Sequence, residues 1–275
     1  GGGRKEFYGQ AGNRVSPDDD LVREWLDGVP NRRFVTTASE MAAIRPGEQV
    51  LGLFADSHMT YVAERGEAST EPTLADMTAA AIRHLAADED GYFLMVEGGR
   101  IDHGHHDGKP GYAMLETQAF AQAVKVALEM VDLDETLILV TADHSHVFTM
   151  GGYATRGNPI LGLVVENDKR GEPQQKPAVD ANGVPYTTLS YANGPGAIRE
   201  LPRPRPELGT HAVSQSLVSI LKVGIDGVPS DSETHGGEDV ALYGTGVGAE
   251  RVRGVIEQNL IYDIMMNAYG WRSAD

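Results

Sequence analysis

Two short apolar segments, each followed directly by histidines and carboxylates, constrain the fold of this chain most. Residues 92–96 and residues 136–141 are apolar or nearly so, and a long helical pattern over residues 112–131 separates them. A continuously apolar strand is typical of a parallel sheet that is covered on both faces. In such folds, sites form beyond the carboxyl ends of the strands. We therefore predict an α/β protein with a site at the carboxyl edge of its sheet.

Six of the nine histidines fall in three motifs that also contain carboxylates, at residues 97–106, 141–146 and 234–239. Neutral imidazole and carboxylate are the ligands that zinc accepts when no thiolate is present. The chain has no cysteine, so a transition-metal site here must be built from His, Asp and Glu. The three motifs together predict a metal-dependent hydrolase.

The first motif follows two adjacent glycines, which let the backbone bend sharply after the predicted strand. We expect a turn rather than a helix here, with Glu97, Asp102 and His106 aimed at nearby cations. Four metal-competent groups within five residues are hard to explain as solvated surface, and they are Asp102, His103, His105 and His106.

The second motif places Asp143 and His144 together at a strand end, where adjacent residues can ligate one metal if the chain turns. His146 is either a ligand or a group that orients a ligating carboxylate. In the third motif His235 is the expected ligand, and the carboxylates after it are expected to serve packing or hydrogen bonding. These ligands suffice for more than one cation, and two cations about 4 Å apart can clamp both oxygens of a phosphoryl transfer.

Charge and composition exclude several other classes of protein. Forty acidic residues against 23 basic ones give a formal net charge of −17, which repels nucleic acid and anionic membranes. No apolar run approaches the roughly 20 residues that span a bilayer. The absence of cysteine excludes a disulfide framework and a thiol nucleophile. The first residues do not read as a secretion signal, which leaves the compartment open.

Three regions are expected along the chain. Residues 1–167 read as an α/β core that carries the first two metal motifs. Residues 168–232 read as an inserted, loop-rich subdomain, because charges, prolines and Asn-Gly steps become frequent there. Residues 233–275 return to the core.

Further helices and strands are expected outside the metal motifs. They are a helix from about residue 16 with Leu21, Trp25 and Leu26 on its apolar face, a strand at 50–54, a helix capped by Thr73, a strand at 240–243, and a helical stripe over 252–264.

Six stretches of the chain resemble alkaline phosphatases, especially those of the animal-type branch. They are residues 1–5, 95–106, 140–152, 191–195, 233–240 and 254–258, and they occur in the family's order along its C-terminal half. The resemblance implies a three-layer α/β/α fold, with residues 168–232 as a crown-like subdomain. It also implies hydrolysis of phosphate monoesters, a periplasmic or extracellular location, and a homodimer of the complete enzyme without a membrane span.

The resemblance further implies two zinc ions and one magnesium ion per active site. The implied ligands are Asp102, His106 and His235 for the first zinc, Asp143 and His144 for the second zinc, and Glu97 for the magnesium.

Two further histidines match supporting positions of the family. His146 would support Asp102 without touching a metal, and His103 would hold water or phosphate near the magnesium. Neither role follows from the residues alone.

The family's nucleophilic serine, which is phosphorylated during the reaction, belongs to the N-terminal half and is not among these 275 residues. Ser145 lies between two motif histidines and matches a family position that is not the nucleophile. We therefore expect the chain alone to be inactive, and its partner to be the N-terminal half of the same enzyme. Two alternatives stay open: a related metal-dependent phosphodiesterase or sulfatase, and a non-catalytic metal-binding fragment.

Overall fold

A computed structural model describes residues 1–9, 16, 18–198, 201–218, 222–223, 229–230 and 232–271. The chain divides into two compact units, and each is described by itself. Unit 1 comprises Gly1–Gly98, Gln118–Val140 and Leu242–Asp275, and unit 2 comprises Gly99–Thr117 and Thr141–Ala241. The three metal motifs lie in unit 2, except for Glu97 and Gly98 at the start of the first.

The α-helices of the described residues are α1 (Leu21–Leu26), α2 (Ala38–Ala42), α3 (Leu74–Leu85), α4 (Arg100–His106), α5 (Pro110–Met130) and α6 (Leu260–Ala268). Short 3₁₀ helices cover Arg4–Phe7, Val62–Glu64 and Ala249–Arg251. No helix in this part of the chain is long and apolar enough to cross a bilayer.

The described strands are short. They are β1 (Arg32–Val35), β2 (Gln49–Gly52), β3 (Leu137–Val140), β4 (Ser145–His146), β5 (Phe148–Met150), β6 (Leu189–Asn193), β7 (Ser216–Val218), β8 (Lys222–Val223), β9 (Pro229–Ser230), β10 (His235–Gly236) and β11 (Tyr243–Gly246). Unit 1 holds the parallel pair β1–β2 and the antiparallel pair β3–β11. Unit 2 holds the antiparallel pairs β4–β10 and β8–β9, and a three-stranded sheet in the order β5–β6–β7.

Local signals account for several elements of unit 1. The expected helix cap at Thr73 is confirmed, because the Thr73 hydroxyl accepts from the Asp76 amide while the Asp76 carboxylate accepts from the Thr73 amide. This reciprocal pair satisfies two amides that the first turn of a helix leaves without partners. Val35 of β1, Met41 of α2 and Phe54 then form a buried cluster.

Other boundaries differ from the predictions. The first helix begins at Leu21, capped by Asp20, and it buries Val22, whereas Leu21 and Leu26 are exposed. Of the C-terminal stripe, only the part from Leu260 onward is helical. The last predicted strand begins three residues later than expected, at Tyr243.

The strand predicted at residues 92–96 is not formed in the described structure. Exposure alternates from residue to residue as in a strand, but Phe93 is 64% exposed and Met95 is 75% exposed. A strand exists only when a neighbour takes its backbone hydrogen bonds. The prediction of a buried strand is therefore wrong for the residues described.

The strand predicted at residues 136–141 is present as β3, but its surroundings differ from those expected. Its described partner is β11, which runs antiparallel with Tyr243 opposite Val140. All four residues of β3 are half-buried. The expectation of a parallel strand covered on both faces is not met among the described residues.

Candidate metal centre

Helix α4 positions the first two residues of the centre. The first motif is helical from Arg100 to His106, so the predicted turn is wrong. Residues four apart share a helix face, and this places Asp102 Oδ1 3.2 Å from His106 Nε2. Gly104 lets α4 lie directly against the start of α5, because a Cβ at Gly104 would stand 2.7 Å from the amide nitrogen of Ala113.

The short pair β4–β10 brings the other two motifs to the same place. In this pair His235 lies opposite His146. The Nε2 atoms of His146, His235 and His144 lie 3.1, 3.5 and 4.0 Å from Asp102 Oδ1. Together with His106, four imidazole nitrogens therefore surround one carboxylate oxygen.

That oxygen has no hydrogen bond that would explain its position. Asp102 Oδ1 is buried, and it lacks a hydrogen-bond partner of acceptable geometry among the described residues. Buried polar atoms are satisfied in the great majority of cases. One ligand atom each from Asp102, His144 and His235 lies within 4.8 Å of the others. An unsatisfied carboxylate oxygen among imidazole nitrogens fits a divalent cation of the zinc type.

The imidazole rings of the centre lie in close contact with one another. His144 and His235 stack with ring centroids 3.6 Å apart, and the Nε2 atoms of His106 and His235 are 3.1 Å apart. Desolvation first, and then the nearby His144 and His106, lower the pKa of His235 below its usual value. Neutral imidazole is the form that ligates a metal, so this environment favours the ligand state.

A second carboxylate, Glu233, supports the imidazoles from behind. Its side chain is fully buried, and its Oε2 lies 2.8 Å from His146 Nδ1. Its main-chain carbonyl oxygen lies 2.7 Å from His106 Nδ1. Sequence reasoning assigned no role to Glu233. The sequence feature that could have indicated a role for Glu233 is its position immediately before the third motif. A single Glu at such a position is too common to be informative.

His105 has different contacts from the four histidines around Asp102. Its Nδ1 lies 2.9 Å from the buried Tyr191 hydroxyl, and its ring stacks on His146 at 4.5 Å. Burial, assisted by the neighbouring His146, lowers the pKa of His105 to about 4. His105 is thus a neutral packing partner of the His146 ring, and its Nδ1 faces Tyr191 rather than Asp102.

The three remaining predicted residues have other surroundings. Asp143 has an 84% exposed side chain, with Oδ2 3.4 Å from His144 Nε2. His103 Nδ1 lies 3.1 Å from the Arg100 guanidinium. Glu97 is exposed and belongs to unit 1. Of the eight predicted site residues the structure gathers five, which are Asp102, His106, His144, His146 and His235.

Comparisons with known proteins agree on one family. A sequence model described as alkaline phosphatase matches residues 1–271. The chain is 40% identical to the membrane-bound alkaline phosphatase of Bombyx mori over 94% of its own length and 46% of that protein. It is likewise 40% identical to the tissue-nonspecific isozyme of Gallus gallus, over 90% of the chain and 46% of that protein. The chain therefore spans about half the length of the curated relatives it matches.

Solved structures support the same fold. Alkaline phosphatase from the Antarctic bacterium TAB5 matches with a TM-score of 0.56 at 22% identity, over 99% of this chain and 60% of that one. A mutant of the TAB5 enzyme with Mg bound matches with a TM-score of 0.59 over the same shares. The predicted alkaline-phosphatase-like α/β fold is confirmed at this level. With the sequence match over nearly its whole length, the chain belongs to the alkaline phosphatase family.

Proposed function

We propose that this chain supplies the metal centre of an enzyme that hydrolyses phosphate monoesters through a phosphoserine intermediate. The observation that carries the proposal is the unsatisfied Asp102 Oδ1 with four imidazole nitrogens around it, in a chain of the alkaline phosphatase family. The serine would come from an N-terminal half that is not among these residues.

The chain's own residues would hold three ions. Asp102, His106 and His235 would hold the first zinc, Asp143 and His144 the second zinc, and Glu97 the magnesium. When bound, two such cations stabilise the attacking and leaving oxygens of a displacement at phosphorus and make bound water acidic.

The geometry supports this assignment for His106 most directly. A main-chain carbonyl oxygen can only accept, so His106 Nδ1 must donate to the carbonyl of Glu233. In the neutral ring the lone pair is then on Nε2, which faces Asp102. His146 would support Asp102 from 3.1 Å without ligating, and His103 would hold water or phosphate.

The proposed partner is the N-terminal half of the same enzyme. The chain spans 46% of its Bombyx mori relative. In unit 1, Phe93 and Met95 are exposed on a segment with the alternating exposure of a strand. Large exposed apolar side chains of this kind mark contact surfaces. A periplasmic or extracellular location, a homodimeric complete enzyme and a crown-like role for residues 168–232 belong to the same proposal and rest on the resemblance.

Metal content and turnover test the proposal together. The chain is purified, zinc and magnesium are added, and hydrolysis of p-nitrophenyl phosphate is measured at alkaline pH. We expect bound zinc without turnover, and turnover when the N-terminal half is co-expressed. Robust turnover by the chain alone would contradict the division into halves. Zinc binding without turnover, even when the N-terminal half is present, would favour the alternative of a non-catalytic metal-binding fragment. The observation that supports this alternative is that the chain spans only 46% of its Bombyx mori relative.

A further inference from the structure

Glu233 is a fully buried carboxylate with both oxygens occupied by groups of the metal centre. Its Oε2 lies 2.8 Å from His146 Nδ1, and its Oε1 accepts from the amide of Val147 at 2.8 Å. Ionised carboxylate oxygens only accept hydrogen bonds, so His146 Nδ1 donates to Glu233, and the same ring can support Asp102 as a donor only when Nε2 also carries a proton. Among the ion pairs of the described residues, the partners of Glu233 are His146 and His106.

The main chain of the same residue fixes a second imidazole. The Glu233 amide donates to the carbonyl of His106 at 3.1 Å, and the Glu233 carbonyl accepts from His106 Nδ1 at 2.7 Å. Both rings are therefore held at Nδ1 by one residue. Their opposite nitrogens, the two Nε2 atoms, lie 3.2 and 3.1 Å from Asp102 Oδ1.

Strand β6 holds Glu233 in place. The Asn193 side chain accepts from the Thr234 amide at 3.0 Å and donates to the Thr234 hydroxyl at 2.9 Å. Gly194 follows with φ +132°, and a Cβ there would stand 2.9 Å from the Glu233 Cβ. The contacts of Asn193 with Thr234 and of Gly194 with Glu233 thus restrict where the Glu233 carboxylate can lie. A residue that orients metal ligands must be held in place in this way.

We propose that Glu233 is a positioning residue of the metal centre, which orients His146 through its carboxylate and so sets the environment of Asp102. The inference rests on the proposed metal centre. Partners that hold the far nitrogen of a histidine near a metal typically change metal affinity by about 10–100-fold when they are removed.

The sharpest variant is Glu233→Gln, which keeps the shape of the side chain. An amide has one accepting oxygen and one donating nitrogen, so it can serve both Val147 and His146 only if His146 Nδ1 gives up its proton and accepts instead, which reverses the direction of that hydrogen bond. We expect zinc affinity, measured by competition with a chelator on the full chain, to fall by about 10–100-fold. Glu48→Gln is the matched control. Glu48 is also a buried carboxylate with an amide and a side-chain partner, but both partner groups belong to Arg45 and not to a residue of the metal motifs, so zinc affinity should not change.

A double-mutant cycle separates positioning from general stability. In a His146→Ala background, Glu233→Gln should cause little further loss of zinc affinity, because the group through which it acts is gone. In ¹⁵N-histidine spectra, the Nδ1–H signal of His146 should shift in Glu233→Gln while it stays in place in Glu48→Gln.

Three results would overturn the inference. The first is an unchanged zinc affinity in Glu233→Gln. The second is an equal loss of zinc affinity when Glu233→Gln is made in the wild type and in His146→Ala. The third is an Nδ1–H signal of His146 that does not move in Glu233→Gln. These differ from failure of the proposed function, in which the wild-type chain itself would bind no zinc. That result would remove the metal centre, and the inference with it.

Discussion

The close approach of α4 to α5 gives a quantitative prediction for Gly104→Ala. In the interior of a helix, Ala is favoured over Gly by about 1 kcal/mol. At Gly104, however, a Cβ would meet the Ala113 nitrogen at 2.7 Å and the Ala113 Cα at 3.1 Å, and both atoms are backbone. Overpacking that forces backbone to move typically costs about 1–3 kcal/mol. The cost exceeds the gain in propensity, so we expect a net loss of up to about 2 kcal/mol.

The same displacement should disturb the metal centre, because α4 carries Asp102 and His106. A loss of 2 kcal/mol corresponds to a fall in melting temperature of roughly 4–8 °C for a chain of this size. We expect both this fall, by circular dichroism, and weaker zinc binding, by chelator competition. Gly66→Ala is the control, because a Cβ there meets nothing within 4 Å, and it should raise stability slightly. A Gly104→Ala variant with raised melting temperature and unchanged zinc affinity would refute the argument.

Three further predictions concern single side chains. His235→Ala should lower zinc content, measured by inductively coupled plasma mass spectrometry, and full occupancy would remove the assignment. Glu48 has its pKa lowered to about 2, chiefly by the Arg45 amide and side chain, so its stabilisation is present above about pH 4.5 and lost as pH falls toward 2. Urea unfolding of wild type and Glu48→Gln should therefore converge at low pH, and a constant difference would contradict this. Thr73→Ala should cost about 1 kcal/mol in the same assay by removing the helix cap, and no change would show that the cap is unimportant.

Elements with local signals could be predicted from the sequence. The Thr73 cap, helix α5 and strand β3 are each specified by residues within one segment, through capping chemistry or periodicity. Five of the predicted site residues lie close together in the structure, and their binding of metal stays a prediction. Histidines and carboxylates next to apolar segments are an unusual combination, and this chemistry is visible without the fold.

Features that depend on distant partners could not be predicted. Residues 92–96 have the composition of a strand, but strand formation requires a neighbour, and the described residues provide none. The two glycines before α4 are equally compatible with a turn and with a helix start. The partner of His105 is an example, because its Nδ1 contacts the hydroxyl of Tyr191, 86 residues further along the chain.

The central claim is that Asp102, His106 and His235 bind one zinc ion. Anomalous diffraction at the zinc edge from crystals of the zinc-loaded chain tests it most directly. The claim predicts a peak about 2.0–2.1 Å from Nε2 of His106 and of His235, and about 2.0–2.2 Å from an Asp102 carboxylate oxygen. A zinc ion bound elsewhere, with these three side chains in their present positions and no peak among them, would contradict it.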